Sequence, residues 1–134
     1  MSQTFYLNAI GKVRKTDEKV WLEIFNEYAD ALLGLDGFSH VHVMYWFHHN
    51  DSTQKRKTLQ VHPRKDPNNP LTGVFATHSP RRPNLIALTV CKIESIDGNI
   101  IHIEEIDAYD GSPVVDIKCY IPEPVSDARV PDWV

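Results

Sequence analysis

Residues 86–106 read IALTVCKIESIDGNIIHIEEI, and this stretch decides the predicted fold. Two segments, residues 86–96 and 99–106, alternate β-branched and polar side chains in the way that strands do. Between them lies Asp97-Gly98, a strong hairpin signal, because a type I′ turn needs positive φ at both central residues. The sequence therefore predicts an antiparallel hairpin at this position.

Further strands are predicted on both sides of the hairpin. One helix is expected, with Asn26 as its N-cap and Gly34 as its left-handed end. Many short strands with Asp-Gly turns predict a mainly β protein, a small antiparallel β-barrel with one short helix. The predicted strands cover residues 5–13, 20–24, 40–48, 73–77 and 114–121, and the helix covers residues 27–33.

The composition is that of one folded domain. The chain has 134 residues, of which 42% are hydrophobic and 24% charged, so disorder is not expected. We predict a single domain over residues 1–134, with residues 123–134 as an extended tail. No signal sequence and no apolar run near the ~20 residues of a membrane span is visible. Cys91 and Cys119 are expected to be reduced thiols, which predicts a cytoplasmic protein.

Charge is distributed unevenly along the chain, although the net charge is only −4. Residues 50–72 form a long polar segment that is predicted to be a functional loop outside the barrel. Residues 55–82 are basic, and residues 94–132 are acidic. This asymmetry fits a surface that faces a polyanion, or two solvated faces of opposite charge. The basic residues are Lys55, Arg56, Lys57, Arg64, Lys65, Arg81 and Arg82.

Residues 73–84, GVFATHSPRRPN, contain two adjacent arginines between two prolines. Pro80 and Pro83 restrict φ on either side of Arg81 and Arg82. A planar guanidinium suits phosphate or carboxylate, and rigid flanks reduce the entropy lost on binding. The segment is therefore a candidate anion site, with a stiff surface turn as the alternative.

Two other groups of residues are candidates for chemistry. His40, His42 and His48 share one face of a predicted strand and resemble a metal site, although structural histidines on strands are commoner. Residues 107–113 cluster carboxylates that suit a cation or ribose hydroxyls, or that cap their own turn. Tyr45 and Trp46 are expected in the core.

Three segments in this order resemble the TsaA/TrmO-type tRNA methyltransferase family. They are LDGFSHVHVMYWFHHND (residues 35–51), GVFATHSPRRPNLIALTVCKIE (73–94) and IDGNIIHIEEIDAYDGSPVVDIKCYIP (96–122). The resemblance implies a homodimeric β-barrel enzyme with S-adenosylmethionine near the subunit interface and no metal. Its substrate would be the exocyclic amine of threonylcarbamoyladenosine beside the anticodon of threonine tRNA.

The resemblance also implies roles for individual residues. A nitrogen of carbamoylated adenine is a poor nucleophile that benefits from a base, and histidine exchanges protons near neutral pH. The implied catalytic residues are His48, His78 and Arg82. The implied cofactor contacts are His48, His49, His78, Arg82, Asn84, Leu88, Asp110, Gly111, Ser112 and Pro113. The RNA contacts expected from charge are Lys55, Arg56, Lys57, Arg64, Lys65 and Arg81.

Two other functions remain open. The chain could be a module that binds S-adenosylmethionine or RNA without transferring a methyl group. It could also be a metal-dependent barrel enzyme that uses His40, His42 and His48.

Overall fold

The computed structural model describes residues 2–134, which group into two compact units. The barrel unit comprises the residues up to His49 together with Ile86–Tyr120. The excursion unit comprises Asn50–Leu85 and Ile121–Val134. Within residues 2–134 no helix is long and apolar enough to cross a bilayer.

Eight strands lie in the described residues, and six of them close an antiparallel barrel. The barrel order is β1-β2-β7-β6-β3-β8, and β8 pairs with β1. This confirms the predicted mainly β fold. The strands are β1 (Gly11–Lys15), β2 (Val20–Ile24), β3 (His40–Trp46), β4 (Gln60–Val61), β5 (Thr72–Gly73), β6 (Ile86–Asp97), β7 (Ile100–Ile103) and β8 (Pro113–Cys119).

Alternate side chains of the strands fill the barrel. In β3, Val41, Val43 and Tyr45 are buried, whereas the residues between them are half-buried. Tyr45 is a core residue as predicted, but Trp46 alternates with it and is half-buried. Closure leaves the sheet without free edges. The core comprises Val13, Leu22, Ile24, Val41, Val43, Tyr45, Ala87, Cys91, Ile101, Ile103, Ile106 and Val114.

Five predicted strands differ from the structure, and two of them, predicted at residues 99–106 and 114–121, end early at Ile103 and Cys119. The strand predicted at residues 5–13 begins only at Gly11, because Phe5 and Leu7 are exposed and have no buried face to fill. The strand predicted at residues 40–48 ends at Trp46. The strand predicted at residues 73–77 is a 3₁₀ turn at Val74–Ala76, where the Thr77 hydroxyl donates to the Val74 carbonyl at 2.9 Å.

The predicted helix is also different in type. Residues Asn26–Leu32 form a 3₁₀ helix in which the Asn26 side chain accepts a hydrogen bond from Asn99 instead of capping. Gly34 adopts the expected left-handed conformation, with φ of 89°. The one α-helical turn of the described residues is α1 (Thr53–Arg56), capped by Ser52. Other 3₁₀ turns are Leu35–Gly37, His48–Asn50, Pro63–Lys65 and Val74–Ala76.

The hairpin between β6 and β7 is present, but its turn type differs from the prediction. Asp97 pairs with Ile100, so the two loop residues are Gly98 and Asn99. Only Gly98 has positive φ, at 61°. Positive φ at the first central residue alone is the pattern of a type II′ turn.

In the excursion unit, β4 and β5 pair as a two-stranded sheet, with Gln60 opposite Gly73 and Val61 opposite Thr72. The C-terminal residues 121–134 form no helix or strand in the described chain, and Trp133 is half-buried there. The excursion unit is therefore made of short elements joined by turns.

Candidate functional site

One end of the barrel collects the predicted site residues of the barrel unit. The end of β3 lies beside the starts of β6 and β8, because Tyr45 pairs with both Ala87 and Val114. His48 and His49 follow β3, and residues 110–113 lead into β8. We call this end the barrel mouth; it comprises His48, His49, Leu88, Asp110, Gly111, Ser112 and Pro113.

Asp110 fixes the loop before β8 onto β1. Its Oδ1 atom accepts a hydrogen bond from the backbone N–H of Lys15 at 2.8 Å and lies 3.7 Å from Nε of Arg14. The Lys15 ammonium donates to the carbonyl oxygen of Ile106 at 2.7 Å. The Asp110 side chain is nevertheless 54% exposed. Asp110 therefore anchors the loop and still presents its carboxylate to solvent.

Gly111 and Ser112 extend the same attachment. The N–H of Gly111 donates to the carbonyl of Val13 at 2.7 Å, and the N–H of Val13 donates to Ser112 at 2.9 Å. Gly111 has φ of 84°, a conformation that favours glycine. The buried Ser112 hydroxyl donates to the Tyr109 carbonyl at 2.7 Å. The backbone at the barrel mouth is thus held in one conformation.

Three aromatic rings follow one another in tilted contacts beside this loop, and we call them the aromatic ladder. The ring centroids of His48 and His49 are 4.1 Å apart, and those of His49 and Tyr109 are 4.5 Å apart. Tyr109 is 66% exposed. Sequence reasoning missed Tyr109; the available signal was an aromatic residue directly before the Asp-Gly turn.

Leu88 lies on an exposed apolar stripe of β6. Ile86, Leu88 and Val90 occupy alternate positions and are all exposed, Leu88 to 60%. The intervening Ala87 and neighbouring Cys91 are buried. An exposed apolar row on a barrel strand is a candidate contact surface.

Two buried titratable groups support the barrel and stay neutral. Burial raises the pKa of the Cys91 thiol to about 11. Burial also raises the pKa of Tyr45, an effect that its hydrogen bond with Thr89 partly opposes. The Tyr45 hydroxyl donates to the Asp107 carbonyl. These groups are structural, and Tyr45 links the core to the loop that carries Asp110.

In the excursion unit, the two adjacent arginines have different environments. Nη1 of Arg82 donates to the carbonyl oxygens of Thr77 and Ser79, each at 3.1 Å. These two residues flank His78, so Arg82 holds the backbone on both sides of that histidine. Arg81, His78 and the predicted cofactor contact Asn84 are exposed.

Arg56 also bonds within the excursion unit. Its Nε donates to the carbonyl oxygen of Pro83 at 2.9 Å, and its Nη1 lies 3.7 Å from Asp51. Arg56 therefore ties α1 to the arginine-containing turn. This gives it a structural contact that the sequence did not reveal, beside its predicted role in RNA binding.

Arg64 and Lys65 form an exposed basic pair with unusual backbone geometry. Both have positive φ, 59° and 57°, which costs about 1–3 kcal/mol per residue for non-glycine side chains. The Asn69 side chain donates to the Pro63 carbonyl at 2.9 Å, and the N–H of Asp66 donates to the same carbonyl at 3.2 Å. The turn thus holds two cations outward at a conformational cost.

The prediction that three histidines share one face of β3 is wrong. His48 lies beyond the end of β3, while His40 and His42 pack against the ring of Tyr120. Nδ1 of His40 lies 2.7 Å from the Ser39 hydroxyl. Among residues 2–134, no group of three or more His, Cys, Asp or Glu side chains is arranged to hold a metal ion.

Two open grooves lie in the barrel unit. The larger, of about 540 Å³, runs beside the β1–β2 turn, and the smaller lies beside His40 and Thr89. Their linings are rich in carboxylates, which repel phosphate. The grooves are therefore poor sites for RNA. Their acidic residues are Asp17, Glu18, Glu94, Glu104, Glu105 and Asp107.

Comparison with known sequences gives a consistent match. A family described as the tRNA-methyltransferase O N-terminal domain matches residues 11–126. A probable S-adenosyl-L-methionine-binding protein of Methanocaldococcus jannaschii is 49% identical, over 87% of this chain and 92% of its own. A second such protein, from Pyrococcus horikoshii, is 44% identical over 88% and 84%. The human tRNA (adenine(37)-N6)-methyltransferase is 42% identical over 88% of this chain and 24% of its own length.

Solved structures give the same result. The crystal structure of TrmO from Pseudomonas aeruginosa is similar with a TM-score of 0.75 and 28% identity, over 99% of this chain and 63% of that one. A second TrmO crystal structure has a TM-score of 0.73 and 30% identity over 96% and 64%. A family match across most of the chain, joined to close relatives and a shared barrel, leads to one conclusion: this chain belongs to the tRNA-methyltransferase O N-terminal domain family.

Proposed function

We propose that this chain transfers the methyl group of S-adenosylmethionine to the exocyclic amine of an adenosine beside the tRNA anticodon. The observation that carries the proposal is the meeting of His48, His49, Leu88 and residues 110–113 at one barrel mouth in a member of this family. Relatives named for S-adenosylmethionine binding and for tRNA adenine methylation support it. The specific substrate we propose is threonylcarbamoyladenosine in threonine tRNA.

The barrel mouth fits the chemistry of the proposed cofactor. When bound, S-adenosylmethionine supplies an electrophilic methyl group on a sulfonium cation. The exposed carboxylate of Asp110 is a group that offsets such a cation by its opposite charge. A Cβ added at Gly111 would meet nothing within 4 Å, so this backbone faces open space. Asp110, Gly111, Ser112, Pro113, Leu88, His48 and His49 are the residues that would hold the cofactor.

The proposed chemistry needs orientation and removal of one proton. Fixing donor and acceptor in line supplies several kcal/mol, about 7–11 kcal/mol in the best model systems. His48, half-buried at the barrel mouth, and His78, in the excursion unit, are the proposed proton acceptors. Arg82 is a positioning residue, because its two hydrogen bonds hold the backbone that carries His78. Asn84 is proposed to support the same segment.

The excursion unit supplies the proposed RNA surface. Arg64, Lys65 and Arg81 are exposed, and their charges suit phosphates, which dominate the affinity of proteins for nucleic acids. Lys55 and Lys57 lie at the end of α1 and are proposed to act in the same way. Arg56 is proposed to contribute mainly by holding the turn at Pro83.

We also propose a homodimer formed through the apolar stripe of β6. Across β3 from the stripe, β8 carries Asp116 and Lys118 in register with Met44 and His42 of β3. In a two-fold interface the same patch of both subunits meets itself. Asp116 of each subunit can therefore pair with Lys118 of the other. The free thiols of Cys91 and Cys119 are consistent with the proposed cytoplasmic location.

The dimer proposal is tested by light scattering after gel filtration. The wild-type chain is expected to elute as a dimer, and Val90→Lys as a monomer, because a charge would be buried in the interface. Thr16→Lys, at an exposed turn, is the matched control and should remain dimeric. A dimeric Val90→Lys variant would remove the stripe from the proposed interface.

One alternative has a specific observation in its favour. The two archaeal relatives are named as binding proteins and not as methyltransferases. A module that binds S-adenosylmethionine or RNA without transfer would fit those names. It would retain the barrel mouth but would need no proton acceptor.

Transfer of labelled methyl groups to bulk tRNA separates the two functions. The tRNA should come from cells that lack the protein, so that the target amine is unmethylated. We expect label in RNA with the wild-type chain and a loss of about 100-fold or more with His48→Ala, because a general base usually contributes about 100- to 10,000-fold. Binding of the cofactor without label in RNA would favour the binding module.

A further inference from the structure

We infer that the aromatic ladder is a stacking platform for an unpaired RNA base, with Tyr109 as its outermost ring. This inference rests on the proposed function, because it assumes that the chain binds tRNA. It adds a residue that the family resemblance did not assign. It also names the kind of contact: a base lying against the exposed side of the phenol ring.

The geometry of the ladder suits this role. His48, His49 and Tyr109 follow one another at centroid distances of 4.1 and 4.5 Å, with interplanar angles of 49° and 43°. The last ring is 66% exposed, so a further ring can join the series without moving it. Offset and tilted aromatic pairs at such distances are attractive beyond the apolar area that they bury.

The backbone that carries Tyr109 is already fixed. The carbonyl of Tyr109 accepts hydrogen bonds from both the N–H and the hydroxyl of Ser112, at 3.1 and 2.7 Å. The next residue, Asp110, is bound to Lys15 of β1. Tyr6 differs: it is 91% exposed in the segment before β1, outside any helix or strand. A pre-formed ring loses less entropy on binding than a mobile one.

An RNA base fits this surface better than the adenine of the cofactor. Sites for small ligands usually enclose most of the ligand, about 70–90% of its surface. Tyr109 instead stands exposed, to 66%. Unstacked bases in RNA loops are bound by tyrosine and histidine rings in just this open way, and any base offers a π-face.

Affinity for an RNA hairpin with an unpaired, adenosine-containing loop tests the inference. Tyr109→Ala should weaken binding of the hairpin by about 5- to 150-fold, because stacking contributes about 1–3 kcal/mol per base. Tyr109→Phe keeps the ring and should stay within about twofold of wild type. Tyr6→Ala removes an exposed tyrosine elsewhere and should not change the affinity. The affinity for S-adenosylhomocysteine, measured by calorimetry, should be the same in all four proteins.

The outcomes separate the inference from the proposed function. If the wild-type chain does not bind the hairpin, the proposed function fails and the inference fails with it. If wild type and Tyr109→Ala bind equally, only the inference is overturned. A loss of S-adenosylhomocysteine affinity in Tyr109→Ala would assign the ring to the cofactor, and an equal loss in Tyr109→Phe would assign the effect to the hydroxyl. Either result would overturn the stacking role.

Discussion

The barrel unit and the excursion unit are held together by different kinds of contact. In the barrel unit, six strands close on a core of twelve buried residues. In the excursion unit, β4 and β5 have two residues each, and single side chains hold the turns. Arg56 bonds to Pro83, and Arg82 bonds to Thr77 and Ser79.

Because of this difference, the two units should respond differently to amino-acid substitutions. When one contact in the barrel is lost, the hydrogen bonds of the closed sheet remain. The fold therefore persists, but its free energy of unfolding falls. Loss of one guanidinium in the excursion unit releases a turn, while the core is untouched. We therefore expect substitutions in the barrel core to change stability, and loss of a turn-holding guanidinium in the excursion unit to change activity.

The largest expected effect compares one leucine in each unit. Leu22 is fully buried in β2, whereas Leu59 is 63% exposed before β4. Leu22→Ala should lower the free energy of unfolding by about 2–5 kcal/mol, because it leaves a cavity. Leu59→Ala should change it by less than about 0.5 kcal/mol. Urea denaturation measures both, and equal losses would contradict the division of roles.

The next effect compares the two adjacent arginines. Arg82→Ala removes two hydrogen bonds around His78 and should lower kcat about 100-fold. Arg81→Ala removes the same charge without those bonds and should mainly raise KM for tRNA. Steady-state kinetics distinguish the two variants. If both lower kcat equally, charge and not the hydrogen bonds of Arg82 explains the effect.

A smaller effect reports whether water is excluded from Cys91 in the barrel core. The unfolded chain ionises its thiols near pH 9, while folding raises the pKa of Cys91 from 9.0 to about 11. The contribution of the neutral Cys91 thiol to the free energy of unfolding is fully present below pH 9. It is lost as the pH rises towards 11, which lowers the free energy of unfolding by on the order of 2 kcal/mol. Urea denaturation across this range should show a shallower decline in Cys91→Ala. Identical declines would indicate that water reaches the thiol.

The smallest effect concerns individual phosphates. Changing Lys55 and Lys57 together to alanine should reduce the slope of log affinity for tRNA against log salt by about 1.5. Affinity for S-adenosylhomocysteine should be retained. Lys12 and Lys19, which are exposed and belong to the barrel unit, are the matched pair and should leave the slope unchanged. Filter binding at several salt concentrations measures the slope. An unchanged slope after substitution of Lys55 and Lys57 would exclude these lysines from the RNA surface.

The strands of the barrel could be predicted from the sequence because alternation is a local signal. The hairpin of β6 and β7 is encoded by two apolar runs around Asp97-Gly98. Residues 5–9 alternate as well, but they are exposed and belong to no strand. Alternation therefore predicted strand residues before Gly11 that do not form a strand. It also could not distinguish a strand from the 3₁₀ turn at Val74–Ala76.

The site was only partly predictable, because its contacts join distant segments. The motifs led to His48, Leu88 and Asp110, and the strand register brings them to one barrel mouth. The bonds of Arg56 to Pro83 and of Asp110 to Lys15 depend on how the chain folds back. No local pattern indicates that a basic residue is bound to a remote backbone carbonyl.

The most direct test of the central claim locates the methyl group. Threonine tRNA that carries unmethylated threonylcarbamoyladenosine is incubated with the purified chain and S-adenosylmethionine, and its nucleosides are then separated by mass spectrometry. We expect one additional methyl group on the exocyclic amine of that nucleoside, and about 100-fold less of this product with Arg82→Ala over the same time. Bound cofactor with no methylated nucleoside, or a methyl group on a different base, would contradict it.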